Sequence, residues 1–198
     1  MAFLSSTRFW RAGGQSVLSG GWRILLALLF CGGLNLAAQT VATKEYQVKA
    51  VFLFNFSQFV TWPTNVFPEA QTPLTIGVLG EDPFGAYLDE TVRGEKANGR
   101  PLVIQRYRNI KEAKNCQILF VSHSEKKHVE QILAGLKDKN ILTVSDMEDF
   151  AMKGGIIRFM AAQNKIHFAI NLQAAKNANL VISSKLLRLA EIVESGKD

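Results

Sequence analysis

Residues 44–63 read KEYQVKAVFLFNFSQFVTWP, a helix-length run of nearly unbroken apolar and aromatic side chains stopped by Trp62-Pro63. Wound at 3.6 residues per turn, Val48, Val51, Phe52, Phe59 and Trp62 fall on one face. Leu53, Phe56 and Val60 form a neighbouring stripe, and Gln47, Gln58 and Thr61 keep a narrow polar edge. A helix packed on one sheet needs a single apolar stripe. This one is therefore expected either to be buried on several sides in its own core or to share a face with another chain. In the second case Val48, Phe52, Phe56, Phe59 and Trp62 supply a dimer or partner helix. Pro63 ends the helix, because it has no amide hydrogen and its ring crowds the preceding turn.

What precedes this run reads as an address. Arg8, Arg11 and Arg23 lead into Ile24–Leu36, a 13-residue apolar core that ends in small residues at Ala37-Ala38 and again at Ala42, with no acid before Glu45. That is the pattern of a secretory signal peptide, expected over residues 1–38 with cleavage possible up to 42. A membrane anchor would need about 20 apolar residues to cross the bilayer core. Gly32-Gly33 and Asn35 weaken even the shorter run. The expected location is the periplasm, with no stable membrane insertion after cleavage. A lipid-bearing Cys31 is disfavoured by bulky Phe30 where a small residue is needed.

Export also changes the charge balance. Taking the three arginines of residues 1–38 from the formal +6 leaves +3 on residues 39–198. So mild a surplus, with Arg93 to Arg100 and Lys126-Lys127 interrupted, does not form the basic stripe that nucleic acid requires. Cys116 is then the only thiol, so no intramolecular disulfide can form, and its place before Ile118–Val121 suits a small buried residue better than a reactive one.

Beyond Pro63, short β-rich runs alternate with helical segments and no linker or repeat divides them, so one domain is expected over residues 45–193. Strands are expected at Leu74–Leu79, Pro101–Arg106, Ile118–Val121 and Ile141–Val144. Helices are expected through about Val92, over Glu125–Leu136 and from Ser145-Asp146 to Met152. The cadence of strand, crossover and strand predicts an α/β fold: a single-domain α/β/α sandwich with a mostly parallel central sheet. Ile156–Met160 and Lys165–Leu172 should add an antiparallel C-terminal hairpin at the sheet edge. Two helices then close the chain: Ala174–Asn177, and Ser184–Val193 with Leu187, Ala190 and Ile192 turned inward.

Chemistry-bearing constellations are sparse. GEDPFG at Gly80–Gly85 follows a strand and precedes a helix, where open α/β sheets hold ligands, but Glu81 and Asp82 would repel phosphate and no phosphate-loop pattern is present. It reads as a structural turn, with Gly80, Glu81, Asp82, Phe84 and Asn171 a candidate ligand or contact loop. Asn171 either ties neighbouring backbone groups or faces a ligand. His123 and His128 are five apart, not four, and His167 sits alone in a strand, which argues against a metal site. There is no G-x-S-x-G elbow, and the carboxylate pairs have surface or helix-start explanations. No catalytic residue, cofactor site or metal site is expected.

Taken in order, Tyr46, Lys49-Ala50, Asn55-Phe56, Trp62-Pro63, VLGEDPFG at 78–85, Cys116-x-Ile118-Leu119-Phe120, Ile141–Asp146, Phe150, Gly154-Gly155, Phe168, Asn171 and Ile182–Leu187 resemble the YfiR family of periplasmic regulatory proteins. The likeness runs from about Glu45 to Ile192. It implies an α/β sandwich, often a homodimer, whose best-known member restrains a membrane-bound diguanylate cyclase by binding its periplasmic region, lowering cyclic-di-GMP and hence biofilm formation. Family members often pair the cysteine matching Cys116 with one on the strand matching Thr75–Leu79, and this chain has none there. The expected partner is the periplasmic domain of a membrane-bound diguanylate cyclase or sensor kinase. The alternative is a periplasmic small-ligand sensor feeding a histidine kinase or transport system.

Overall fold

The computed structural model of the chain describes residues 44–163 and 165–193, and the expected signal peptide of residues 1–38 lies outside the described residues. Helix α1 spans 44–59. It is followed by β1 (Val60–Thr61), β2 (Leu74–Leu79), α2 (Ala86–Val92), β3 (Lys96–Ala97) and β4 (Arg100–Tyr107). Next come β5 (Ile118–Val121), α3 (Val129–Gly135), β6 (Leu142–Ser145), β7 (Ile157–Ala162) and β8 (Lys165–Asn171). The chain closes through α4 (Leu172–Asn177), β9 (Val181–Ile182), α5 (Ser184–Leu187) and β10 (Glu191–Val193).

Eight of these strands form one sheet in the order β10-β8-β7-β6-β5-β2-β4-β3. The six-strand run from β7 through β3 is parallel except for β3, which turns back antiparallel on β4. Strand β2 shows why the middle is parallel and doubly covered: LTIGVL is apolar at every position but Thr75 and Gly77, so neither face tolerates water. Ile76 and Val78 join a core with Ala50, Leu53 and Phe56 of α1, Leu88 and Val92 of α2, and Leu186 of α5. Leu79, Leu119 and Val121 enter a second core with Val129 and Ile132 of α3, Met147 and Phe150. Two helical layers on one sheet give the α/β/α sandwich. At Gly77 a Cβ would come within 2.6 Å of Tyr107 Cε2, so only glycine admits that ring to the second core.

Several boundaries depart from expectation. Helix α1 ends at 59, not at Trp62, because β-branched Val60 and Thr61 pair antiparallel with Ile182 and Val181 in a separate two-stranded sheet. The segment expected as a helix from Asp146 to Met152 forms turns, drawn closed by Ser145 Oγ accepting from Met147 N at 3.2 Å and by Phe150 O accepting from Gly155 N at 2.9 Å. Glu125–Leu136 divides into a 3-10 segment at His123–His128 and the α-helix α3.

The hairpin of β7 and β8 is antiparallel as expected, but it does not make the sheet edge. The closing helix stops at Leu187, and Glu191–Val193 returns as β10, parallel to β8, with Ile192 opposite Ile170. Leu186 of α5 is buried in the core and Leu187 and Ala190 pack half-buried against it, as expected of the latter two, while Ile192 is 46% exposed on the edge strand. Ile192-Val193 is a β-branched pair beside an open strand edge, and that edge overrides the helical spacing.

Candidate functional site

From β2 the chain crosses to β4 on one side and then returns to β5 on the other, so the connections leaving β2 and β5 diverge. The carboxyl ends of such a pair are where open α/β sheets hold ligands. Here they carry Gly80–Gly85 after β2 and Ser122–Ser124 after β5, with Asp146 following β6 and the first turns of α1 above them.

The crevice is packed with the chain's own side chains. Phe84 is buried edge-on to Phe120 at 4.8 Å and to Tyr46 at 5.4 Å between ring centroids. Gly80, at φ +89°, lies where a Cβ would meet Ser124 Oγ, and that hydroxyl accepts from Glu81 N at 3.0 Å. Asp82 Oδ1 accepts from Phe84 N at 2.8 Å, while Oδ2 accepts from Arg106 Nε at 2.7 Å. Arg106 also donates to Gly85 O at 3.0 Å and pairs with Asp89, holding that carboxyl below the usual carboxylate range. GEDPFG is thus a turn clamped by a guanidinium from β4, with Glu81 left exposed.

Beside Phe84 lies an ionic cluster that residue spacing did not disclose. Lys49 is 2% exposed in the middle of an apolar helix, and its Nζ stands 2.6 Å from Glu45 Oε1 and 2.6 Å from Asp146 Oδ2. Tyr46 donates its hydroxyl to the same Asp146 oxygen at 2.8 Å, and its ring lies 4.3 Å from the ammonium. Burial, then the bond to Asp146, pushes the Tyr46 phenol well above its ordinary range. Asp146 Oδ1 is buried without a hydrogen-bond partner among the described residues. The signal was a single lysine between Val48 and Ala50, since a buried ammonium demands an acid. Glu45 lies one turn away on the same helix, but the more buried acid, Asp146, is a tertiary fact, 97 positions along the chain.

The candidate partner residues, four on α1 and Trp62 just past β1, divide by burial. Phe56 is fully buried, stacked on Phe159 at 5.7 Å, and Trp62 is 7% exposed, its indole donating to Gln117 O at 3.2 Å. Phe52 is half-buried between Phe159 and Phe168, and Phe59 is half-buried. Val48 and Val51 are 45% and 41% exposed. Asn171 is fully buried, where its Oδ1 caps α4 by accepting from Ala174 N at 2.9 Å and its Nδ2 donates to Ala151 O at 2.8 Å. It lies on β8, four strands from β2, or about 19 Å at the usual strand spacing. The structure therefore does not bring Asn171 to the Gly80–Gly85 loop.

Among the described residues, no group of three or more His, Cys, Asp or Glu side chains is placed to hold a metal ion. Cys116 is buried, its thiol donating to Ala113 O at 3.1 Å, and burial pushes its pKa up to about 12. In a Cys31→Ser background a disulfide-exchange reagent at pH 8 is expected to label the folded protein at least about a hundredfold more slowly than the urea-unfolded chain, since the thiolate is the reacting form. Burial also raises the Tyr107 phenol to about 12. Both groups bind protons more tightly when folded, so the stability they confer is whole below about pH 9 and is lost as pH climbs toward about 12. The urea midpoint should fall across that window, and less so in Cys116→Ala.

A family profile described as YfiR/HmsC-like matches residues 46–191. No curated protein matches the chain. Among solved structures, a crystal structure described as the ABC domain in complex with L-Trp, from Streptococcus pneumonia, aligns with a TM-score of 0.46 at 10% identity. That alignment covers 61% of this chain and 55% of the other, so the chain spans about half the length of that neighbour.

Proposed function

The chain belongs to the YfiR/HmsC-like family, and from that membership we propose that it is a non-enzymatic periplasmic regulator. In this reading it binds the periplasmic region of an inner-membrane diguanylate cyclase and lowers cyclic-di-GMP. The observation that carries the reading is the outer side of α1. Val48 and Val51, one turn apart, are 45% and 41% exposed and flanked by half-buried Phe52, while the opposite side of the same helix is wholly committed to the core. Scattered exposed aliphatics are ordinary, but an adjacent pair on a rigid helix, backed by aromatic rings, is a surface suited to covering. A second copy of the chain could meet the same stripe, and a homodimer is the proposed free state.

One further feature supports action by contact. Phe84 is buried against Phe120 in the strand-end crevice, which favours this reading over that of a ligand sensor working there. No helix among the described residues is long and apolar enough to cross a membrane. The test is co-purification from membranes containing diguanylate cyclases with periplasmic domains. Wild-type chain should be retained by one such cyclase and released when its periplasmic domain is deleted. Retention by none of them would remove the proposal.

A further inference from the structure

At the amino ends of the parallel strands, opposite the Gly80–Gly85 loop, a groove of about 400 Å³ opens between β1 and the β3–β4 turn. Val60, Trp62, Leu74 and Ala97 form its buried apolar floor, and Phe67 and Arg100 stand at its side. None of the described residues lining it is Asp or Glu.

Arg100 gives this groove a chemical direction. Its Nη1 donates to Glu69 O at 2.7 Å, Ala70 O at 2.9 Å and Thr72 O at 3.1 Å, and its guanidinium lies 4.0 Å over the Phe67 ring. The group is thus held in one pose, yet among the described residues it has no ion-pair partner, and Nε and Nη2 make no hydrogen bond. An Nε–Nη2 edge is the side of a guanidinium that accepts a carboxylate with two parallel bonds. Because the carbonyls and the ring have already fixed the side chain, binding would forfeit little rotamer freedom.

We propose that this groove binds a small monocarboxylate with an apolar tail, the carboxylate on the free edge of Arg100 and the tail against Trp62 and Leu74. The volume falls in the range of small-molecule sites, about 300–1,000 Å³. A zwitterionic amino acid is disfavoured, because no acid among the described residues lines the groove to receive its ammonium. Phosphate is disfavoured too, since its remaining oxygens would be desolvated against Trp62 and Leu74.

The experiment follows the indole N–H resonance of Trp62, assigned by Trp62→Phe, in ¹⁵N-labelled protein titrated with octanoate and, separately, with octanamide. Octanoate should shift that resonance saturably, and octanamide, of the same length but without charge, should bind at least about tenfold more weakly. Arg100→Gln should weaken octanoate about 10- to 100-fold, with Arg100→Lys between, because an ammonium cannot bind two oxygens side by side. Should Arg100→Gln loosen the 69–72 loop, Thr64→Phe at the exposed rim serves instead: it narrows the groove and should abolish the shift without altering the melting temperature. Absence of a saturable shift, equal affinity for acid and amide, or undiminished binding in folded Arg100→Gln or Thr64→Phe would overturn the assignment.

Discussion

Asp146→Ala is expected to lower the stability of this protein by about 3–5 kcal/mol, the usual cost of removing one partner of a buried ion pair. Lys49 is the reason. Its side chain is 3% exposed, Asp146 is 11% exposed, and the remaining partner, Glu45, is 30% exposed and bathed by solvent on one side. Without Asp146 the ammonium keeps one half-screened carboxylate, and the Tyr46 hydroxyl loses its acceptor. The cluster need not be a net source of stability, since taking both charges out of water is costly and Asp146 Oδ1 finds no partner among the described residues. The double variant Lys49→Met/Asp146→Asn removes both charges and leaves an amide oxygen for Tyr46, so it should recover most of the loss. Urea unfolding of the three proteins decides it. A loss below about 1 kcal/mol for Asp146→Ala would mean that Lys49 reaches water on its own.

On the same helix, Phe56→Ala is expected to cost about 3–5 kcal/mol, whereas Val51→Glu should stay within about 0.5 kcal/mol of wild type. Phe56 has no exposed surface and touches Phe52, Phe159 and Phe168 at centroid separations of 6.1, 5.7 and 5.4 Å. Truncating it removes the ring and leaves a cavity between α1 and the β7–β8 hairpin, which can close only by shifting the helix. Val51 lies outward, and a carboxylate there remains solvated while disturbing whatever covers the stripe. Thermal unfolding reads the first effect, and sedimentation equilibrium or capture by a cyclase reads the second. Folded Val51→Glu that still dimerises and still binds would place the contact elsewhere.

Much of the fold was legible because it is written in local runs. LTIGVL and ILFV are short, apolar on both faces and bounded by turn residues, and both occupy the strands they imply. Alternation of such runs with helical spacing was enough for a mostly parallel α/β/α sandwich. What stayed hidden depends on pairing at a distance. Thr61 leaves the helix because Val181 offers it a strand partner, and Glu191–Val193 is extended because β8 has an open edge. Neither fact has a periodic signature near the residues concerned. The candidate site fared similarly. Helical spacing placed Val48 with Phe59 and Trp62, but the helix ends at 59 and the chain passes into β1, so Trp62 no longer follows the helical face: Val48 is outward and Trp62 buried. Gly80 follows β2 and Asn171 ends β8, yet strand order separates them. The clamp of Arg106 on Asp82 and Asp89 follows from where the end of β4 lies beside the carboxyl end of β2, which no spacing rule supplies.

The proposed regulation requires the outer side of α1 to be a contact surface for a membrane cyclase. The direct measurement is cyclic-di-GMP in cells expressing a diguanylate cyclase with a periplasmic domain, together with either the wild-type chain or Val48→Glu/Val51→Glu at matched periplasmic levels. Wild type should lower the second messenger, and the doubly substituted chain, folded and equally abundant, should leave it at the level seen with no regulator. Equal lowering by both chains would contradict that requirement.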